Sequence, residues 1–464
     1  MIRELHLRDV GPSRALDFEF APRLNILTGD NGLGKSFVLD IAWWTLTTTW
    51  AGDQAFPWQP RTSASSLDQL APEIDATLSY AFGDGTSAEE VLTGGTYEWS
   101  SQRWKRKRWE RRPPGKTDVY SHPPDSPSAL VVYARIDGSF AIWDGHQVKS
   151  EHAEATVLLN SEEVWEGKES ETRGTKRRRT ICRGLLEDWV TWQGAHAPEF
   201  ESLARVLTVL SEPDEPLVPG PPTRVRLDDR QDVPTLEMAY GLVPVTLASA
   251  GQRRVLALAY MLVWAWAEHL KTAELKKRSP TGDMIVLIDE VEVHLHPRWQ
   301  RLLLPAIMQA IKAIAPDVSV QLIATTHAPM VLASVEPYFD EETDDLYRFE
   351  RSGSAVVAHR LQFAKQGDVA NWLVSETFGL EPRSAPSEAA IEAASAFMRG
   401  DTAASESALK TAVEALDNPP FDPSSELKAR IHATLRRLVP SHDDFWPRWI
   451  VSNDPSLARD EDGR

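Results

Sequence analysis

Cysteine is nearly missing from this sequence: Cys182 stands alone among 464 residues, which excludes an intramolecular disulfide and fits a reducing cytosol. Long apolar runs are missing too. No stretch reaches the 18 or more residues of a membrane span, and the first residues read as a strand rather than a signal peptide. Net positive charge is lacking. At −18, with a pI near 5.2, the surface as a whole repels nucleic acid, so a DNA contact needs a local basic patch. No internal repeat or heptad array occurs, which excludes long coiled-coil arms. What is left is an ordinary soluble composition, 42% hydrophobic and 25% charged. The chain is too long for one core and is expected to form two or three lobes in the cytoplasm.

One stretch organises the rest: Leu24-Asn25-Ile26-Leu27-Thr28-Gly29-Asp30-Asn31-Gly32-Leu33-Gly34-Lys35-Ser36. A short apolar run, a glycine-rich turn and a helix beginning at Lys35-Ser36 satisfy the phosphate-loop (Walker A) pattern in the strand–turn–helix context that it requires. The glycines let successive backbone N–H groups converge on phosphate oxygens, and the helix N-terminus adds partial positive charge. Gly29, Asn31, Gly32, Gly34, Lys35, Ser36 and Phe37 are therefore the nucleotide-binding candidates. Lys35 would reach the β/γ-phosphates of ATP, and the Ser36 hydroxyl would ligate Mg²⁺.

Before that loop, residues 2–10 and 15–20 alternate around Gly11-Pro12-Ser13 and predict a hairpin. After it, a helix carries Trp43, Trp44, Leu46 and Trp50, and residues 53–66 form a loop holding Gln54 and Gln59. Residues 74–82, 97–99 and 130–142 read as strands of an antiparallel β-lobe inserted after the first helix, and a helix is expected over 181–192. From Arg103 to Arg112, seven basic residues interleave with Trp104 and Trp109. That mixture suits phosphate contact plus base stacking, or equally a solvated surface balancing an acidic protein. Lys176 to Arg179 is a second basic run. The proline-rich residues 211–235 are expected to be a linker.

Ser249, Gly251 and Gln252 open a strongly apolar helix, where a hydroxyl and free N–H groups can bind an anion. Residues 284–288 are a continuous apolar run ending in Asp289-Glu290. A buried parallel strand reads this way, with its acids at the carboxyl end where α/β sites are built. Asp289 would hold Mg²⁺ and Glu290 would polarise the attacking water. His294 and His296 could share one face of an extended segment, but zinc takes three or four protein ligands and only Glu292 lies near them. A further apolar strand ends in Thr325-Thr326-His327, where the histidine could contact the γ-phosphate.

In this order, the phosphate loop, the Ser249–Gln252 segment, residues 285–290 and Thr326-His327 resemble the ATP-binding-cassette ATPases of the RecF/SMC kind. More narrowly, residues 289–297 with Thr325-Thr326-His327-Ala328-Pro329 resemble the compact bacterial ATPases of the OLD-like and Septu-type phage-defence families. The match covers residues 1–50 and 240–335. The resemblance implies an α/β fold: an ABC-type ATPase head with a mixed sheet, an inserted antiparallel β-lobe and a helical C-terminal region. It places Ser249, Gly251 and Gln252 in a signature motif that contacts the γ-phosphate of nucleotide held by another subunit. Glu290 becomes the catalytic glutamate and His327 the switch histidine. Glu292 to His296 would lie in a loop crossing the dimer interface. Gln59, with Gln54 as the alternative, becomes the Q-loop glutamine that would join Ser36 and Asp289 on Mg²⁺.

Domains follow as 1–60 (first part of the head), 61–210 (inserted lobe), 211–335 (second part of the head) and 336–464. The last is mostly helical and ends in Trp446-Pro447-Arg448-Trp449, which could dock a partner. No acidic cluster of the Toprim nuclease type follows His327, so intrinsic nuclease activity is not expected. The expectation is a slow ATPase that forms a homodimer or higher homo-oligomer around nucleotide and regulates a separate effector, a nuclease, in antiphage defence. The alternative is a RecF-like DNA-repair clamp gated by ATP.

Overall fold

The alternating N-terminal residues fold as the expected hairpin, β1 (Ile2–Val10) and β2 (Ser13–Glu19), with Leu5 opposite Phe18 and Leu7 opposite Leu16. The computed structural model describes residues 1–453 apart from 60–69, 82–87, 108, 113–117, 121–128, 148–154, 172–177, 226–227, 229–230, 380–382, 415 and 417. β3 (Leu24–Gly29) leads through the glycine turn into α1 (Lys35–Thr47). Strands β4 (Glu73–Ala81), β5 (Ala88–Glu98), β6 (Arg103–Arg106), β7 (Trp109–Arg112), β8 (Asp118–Tyr120), β9 (Ala129–Ala134), β10 (Phe140–Asp144) and β11 (Thr156–Leu159) follow. Next come α2 (Ser161–Glu166), β12 (Lys168–Glu171), β13 (Arg178–Cys182), α3 (Gly184–Ala195) and α4 (Pro198–Leu210). β14 (Val218–Thr223), β15 (Val233–Met238) and β16 (Gly241–Pro244) lead to the long helix α5 (Ala250–Leu275). The head closes with β17 (Asp283–Ile288), α6 (Pro297–Gln300), α7 (Leu303–Ile314), β18 (Ser319–Thr325), α8 (Pro329–Val335), β19 (Asp344–Ser352) and β20 (Ala355–Leu361). Helices α9 (Val369–Val374), α10 (Ala385–Met398), α11 (Thr402–Glu414), α12 (Leu427–Leu438) and α13 (Phe445–Asn453) complete the described chain.

Two sheets carry the head. One runs β2-β1-β4-β5-β7-β8 with β6 beside β5, and its pairings are antiparallel. The other runs β11-β10-β9-β17-β18-β3-β19-β20. Its five central strands are parallel, and antiparallel strands flank them. Helix α1 contributes Val38, Leu39, Ile41, Trp43 and Leu46 to a single apolar core that also takes residues from β1, β4, β9, β17 and β18. Trp43 is fully buried and its ring meets Tyr133 of β9 at 6.2 Å.

Three sequence expectations change here. Residues 130–142 do not join the antiparallel lobe, because β9 pairs in parallel with β17, from Ala129 opposite Asp283 to Ala134 opposite Ile288. Its side chains are buried throughout, and a strand buried on both faces reads as a continuous apolar run rather than an alternating one. Residues 211–235 are not all linker: β14 pairs with β15 despite Pro219, Pro221 and Pro222. β14 is an edge strand of the three-stranded sheet β14-β15-β16, the place where a residue without an N–H is tolerated. Finally, β19 and β20 extend the parallel sheet, so the first compact unit runs from Met1 to Trp372 and the second from Leu373 to Arg464.

In that second unit the alanine-rich helices pack closely. Ala390, Ala393, Ala394, Leu409, Ala412, Ile431 and Leu435 form its core together with Trp449. Trp449 donates from Nε1 to Nδ1 of His432 at 3.1 Å, and Trp446 donates to the Pro440 carbonyl at 2.7 Å. Trp449 is thus interior to its own helical unit, not part of an exposed docking end. Among the described residues no helix is long and apolar enough to cross a membrane.

Gln321 of β18 ties the sheets together. Fully buried, it accepts from the Ile2 N–H through Oε1 at 2.8 Å and donates from Nε2 to the carbonyls of Ile2 (2.8 Å) and Ala21 (2.9 Å). Gln321→Ala removes the side-chain partner of both the Ile2 N–H and the Ile2 carbonyl, each at a cost of about 1–3 kcal/mol, while the Ala21 carbonyl keeps the Asn25 amide. A loss of roughly 3 kcal/mol or more in chemical-denaturation stability is expected, with Gln321→Glu recovering only part of it.

Candidate nucleotide-binding site

The parallel strands β9, β17, β18, β3 and β19 all present their carboxyl ends to one side, where an open α/β sheet binds its ligands. At the end of β3 the chain adopts φ +131° at Gly29, where an added Cβ would lie 2.2 Å from the Phe349 carbonyl oxygen. Gly34, at φ +90°, caps α1 without a side-chain hydrogen bond, and an added Cβ there would meet Pro12 at 2.7 Å. No other residue type fits these two positions. With no side-chain cap at Gly34 and no acid in the first turn, the N-terminus of α1 is left for an anion.

Lys35 is buried beneath the loop. Its Nζ donates to the carbonyls of Gly29 (2.9 Å) and Asp30 (2.8 Å) and lies 3.4 Å from Nδ1 of His327. Burial lowers its pKa, while the nearby Glu290 and Asp289 carboxylates oppose that shift.

Asp289 is the meeting point of the ends of β17 and β18 and the start of α1. Its Oδ1 accepts from the Ser36 hydroxyl at 2.9 Å and from the Thr325 hydroxyl at 2.8 Å, and Thr325 Oγ1 in turn accepts the Glu290 N–H at 2.7 Å. Two oxygens, one hydroxyl and one carboxylate, therefore converge where a hard, six-coordinate Mg²⁺ takes its protein ligands. The donor set fits the ion.

Glu290 occupies left-handed backbone space (φ +44°), and its Oε1 lies 3.3 Å from Nε2 of His327. The His327 N–H donates to Oε1 of Glu292, whose other oxygen is buried without a partner among the described residues. Burial raises the Glu292 pKa, opposed by its hydrogen bond with His327. His327 thus stands between Lys35 and Glu290, while Glu292 fixes its backbone.

Ser249 caps α5 in a capping box: its hydroxyl accepts the Gln252 N–H at 3.2 Å, and its own N–H donates to Gln252 Oε1 at 3.0 Å. Both Ser249 and Ala250 are exposed, whereas Gly251 is buried against the His294 carbonyl and Trp299. Asn31 and Gly32 are exposed at the loop tip, and Phe37 lies 5.7 Å from Phe56, ring centre to ring centre. Gln59 is exposed and outside the hydrogen-bonded cluster, next to Trp58, whose N–H donates to the Asp9 carbonyl.

His296 uses Nδ1 to accept the Arg298 N–H at 3.3 Å, capping α6, so it does not pair with His294 around a metal. Among the described residues, Asp144, His146 and His269 cluster elsewhere. Both ring nitrogens of His269 are engaged there, Nδ1 with Asp144 and Nε2 with the Thr281 N–H, which leaves no lone pair for an ion. In the basic run, Lys105 pairs with Glu98, and Lys107 pairs with Glu73 and Asp75. Trp104 donates to the Ala55 carbonyl and packs by Trp44 and Tyr97. Lys105 and Lys107 thus have carboxylate neighbours within the lobe, and the Trp104 indole is packed inside it. Trp109 lies in β7 and Arg108 outside the described residues.

Three contributors went unassigned in the sequence: Thr325, Arg254 and Asp40. Asp40 was detectable as the one acid among the apolar residues of α1, whereas Arg254 follows Arg253 at a helix entrance and carries no such signal. Asp40 lies one turn beyond Ser36 and accepts from the Tyr133 hydroxyl at 3.1 Å.

A parallel sheet with a phosphate loop, a carboxylate pair at the neighbouring strand end and a histidine beyond defines an ABC-type ATPase head. Residues 24–333 match the family model described as "AAA domain, putative AbiEii toxin, Type IV TA system", and the chain belongs to that family. Parts of it are similar to the Retron Ec83 probable ATPase of Escherichia coli, with 40% identity over 55 residues, 12% of this chain and 9% of the relative. The Retron Vc95 probable ATPase of Vibrio cholerae serotype O1 biovar El Tor is 40% identical over 70 residues, 15% of this chain and 12% of the relative. The Septu protein PtuA of Bacillus mycoides (strain KBAB4) is 36% identical over 103 residues, 22% and 13% respectively. The matches thus span about a tenth of the length of these curated relatives. Among solved structures, the SMC head domain from Thermotoga maritima aligns with 78% of this chain and 99% of its own, at 13% identity and a TM-score of 0.37. The recombination mediator protein RecF aligns with 78% of this chain and 98% of its own, at 12% identity and a TM-score of 0.35.

Burial pushes the Asp40 pKa up to about 6, with Arg135 opposing and Asp289 adding to the shift. A carboxyl whose folded pKa exceeds its unfolded value destabilises the fold once ionised, so the penalty grows from pH 4 and is complete above pH 6. Asp40→Asn is expected to raise the melting temperature at pH 8 and to confer no advantage at pH 3.5, read by thermal unfolding at both values.

Proposed function

We propose that this protein binds ATP at the phosphate loop and hydrolyses it slowly in a homodimer that encloses the nucleotide between two copies. The observation that carries this reading is the cluster joining Lys35, Ser36, Asp289, Glu290 and His327 through contacts of 2.9 to 3.4 Å. Lys35 leaves the carbonyls of its own loop for the β/γ-phosphates. Ser36 and Asp289 would hold Mg²⁺, which neutralises phosphate charge when bound. Glu290, positioned by Thr325 and His327, orients the attacking water and accepts its proton. His327 shares its two ring nitrogens between the lysine and the glutamate, so it can sense whether the γ-phosphate has drawn Lys35 away. Exposed Ser249, with Gly251 and Gln252, caps the γ-phosphate of nucleotide on the second copy, an arrangement that twofold symmetry supplies at both sites.

The retron and Septu similarities support a role in antiphage defence, in which the ATP state of the dimer regulates a separate effector, a nuclease. The internal pairing of Lys105, Lys107 and Trp104 weighs against the DNA-clamp alternative, since these groups are the ones a basic–aromatic strand would offer to nucleic acid.

Glu290→Gln is expected to keep ATP affinity, to lower turnover by about 10²-fold or more, and to accumulate an ATP-dependent dimer in size-exclusion chromatography with light scattering. Lys35→Ala is expected to weaken ATP binding at least about tenfold in a titration with a fluorescent analogue. Unchanged turnover in Glu290→Gln overturns the mechanism. Firm salt-dependent DNA binding by the wild-type chain alone favours the clamp.

A further inference from the structure

Arg254 has no place in the mechanism above, yet it is a half-buried cation five residues beyond Ser249, at the start of an apolar helix. Its Nη1 donates to the Arg135 carbonyl at 2.7 Å and its Nη2 lies 3.5 Å from the Asp289 carbonyl. Among the described residues it forms no salt bridge. Burial lowers its pKa, with the fields of Asp289 and Asp137 opposing. A guanidinium partly withdrawn from water and answered by carbonyls, with no carboxylate bound to it, gains little stability there.

The geometry around it is specific. Arg135 ends the β9 side of the site and Asp289 ends β17, so the planar fork spans two adjacent parallel strand ends. Three residues earlier, Gly251 lets α5 press against the His294 carbonyl, where an added Cβ would sit at 2.8 Å. The entrance of α5 is therefore fastened to the segment from Asp289 to His294 at both of its ends. Between those fastenings stands Glu290, and both Glu290 and His294 hold left-handed backbone angles (φ +44° and +63°). Such angles persist only where surroundings enforce them.

We propose that Arg254 is a positioning residue that couples the two nucleotides of the dimer. When Ser249 at the head of α5 engages the γ-phosphate of the second copy, Arg254 carries the resulting shift of the helix entrance to Asp289 and Glu290 of its own subunit. This rests on the reading of Ser249 and Glu290 given under the proposed function. Each subunit then hydrolyses its ATP only when its signature side is also occupied, which makes turnover cooperative in ATP.

The test compares full-length wild type, Arg254→Gln, Arg254→Lys and Glu290→Gln, measuring affinity for a fluorescent ATP analogue, kcat, the Hill coefficient for ATP and the melting temperature. Arg254→Gln is expected to bind the analogue within about twofold of wild type, to lose at least about tenfold in kcat, and to show a Hill coefficient near one. Arg254→Lys is expected to recover part of kcat, since a single ammonium keeps the charge but cannot span both carbonyls. Wild-type kcat and Hill coefficient in Arg254→Gln overturn the proposal. So does a parallel loss of binding, melting temperature and kcat, which marks a purely structural role. If Glu290→Gln retains full turnover, the underlying reading fails as well. If it is inactive while Arg254→Gln behaves as wild type, only the coupling falls.

Discussion

One carboxylate oxygen, Oδ1 of Asp289, receives the hydroxyls of Ser36 and Thr325, and the nucleotide end of the head depends on the strand register that brings them together. Ile288 lies opposite Ala324, and Thr325 opposite Leu27. A slip of one residue in either ladder would turn Asp289 or Thr325 to the opposite face and part the phosphate loop from the carboxylates. That register is strongly specified, because β17 and most of β18 are buried. Packing of apolar strands thus fixes the separation of polar groups to within the length of a hydrogen bond.

The same reasoning shows what the amino-acid order made legible. The phosphate loop, the Asp289-Glu290 pair and His327 were all readable, because each sits where an apolar run stops and a special residue type begins. Arg254 and Thr325 were harder. Their roles arise from contacts 119 and 36 residues away in the chain, which no local pattern announces. β9 was misplaced for a related reason: residues 130–133 alone read equally as lobe or head, and only the pairing with β17 decides between them. The prolines of β14 misled in the other direction, since turn chemistry and edge-strand chemistry use the same residue.

The basic run illustrates how composition overstates availability. Of the seven positive residues in ten, Lys105 and Lys107 have Glu98, Glu73 and Asp75 as partners on neighbouring strands. Cross-strand pairing of opposite charges is ordinary sheet stabilisation, and an acidic protein has carboxylates to spare for it.

Lys35 carries a last consequence. Its ammonium binds two carbonyls of its own loop and faces an imidazole. The first side chain of α1 is therefore also a clasp on the turn that precedes it, and the shape of that turn depends on a cation as well as on its glycines.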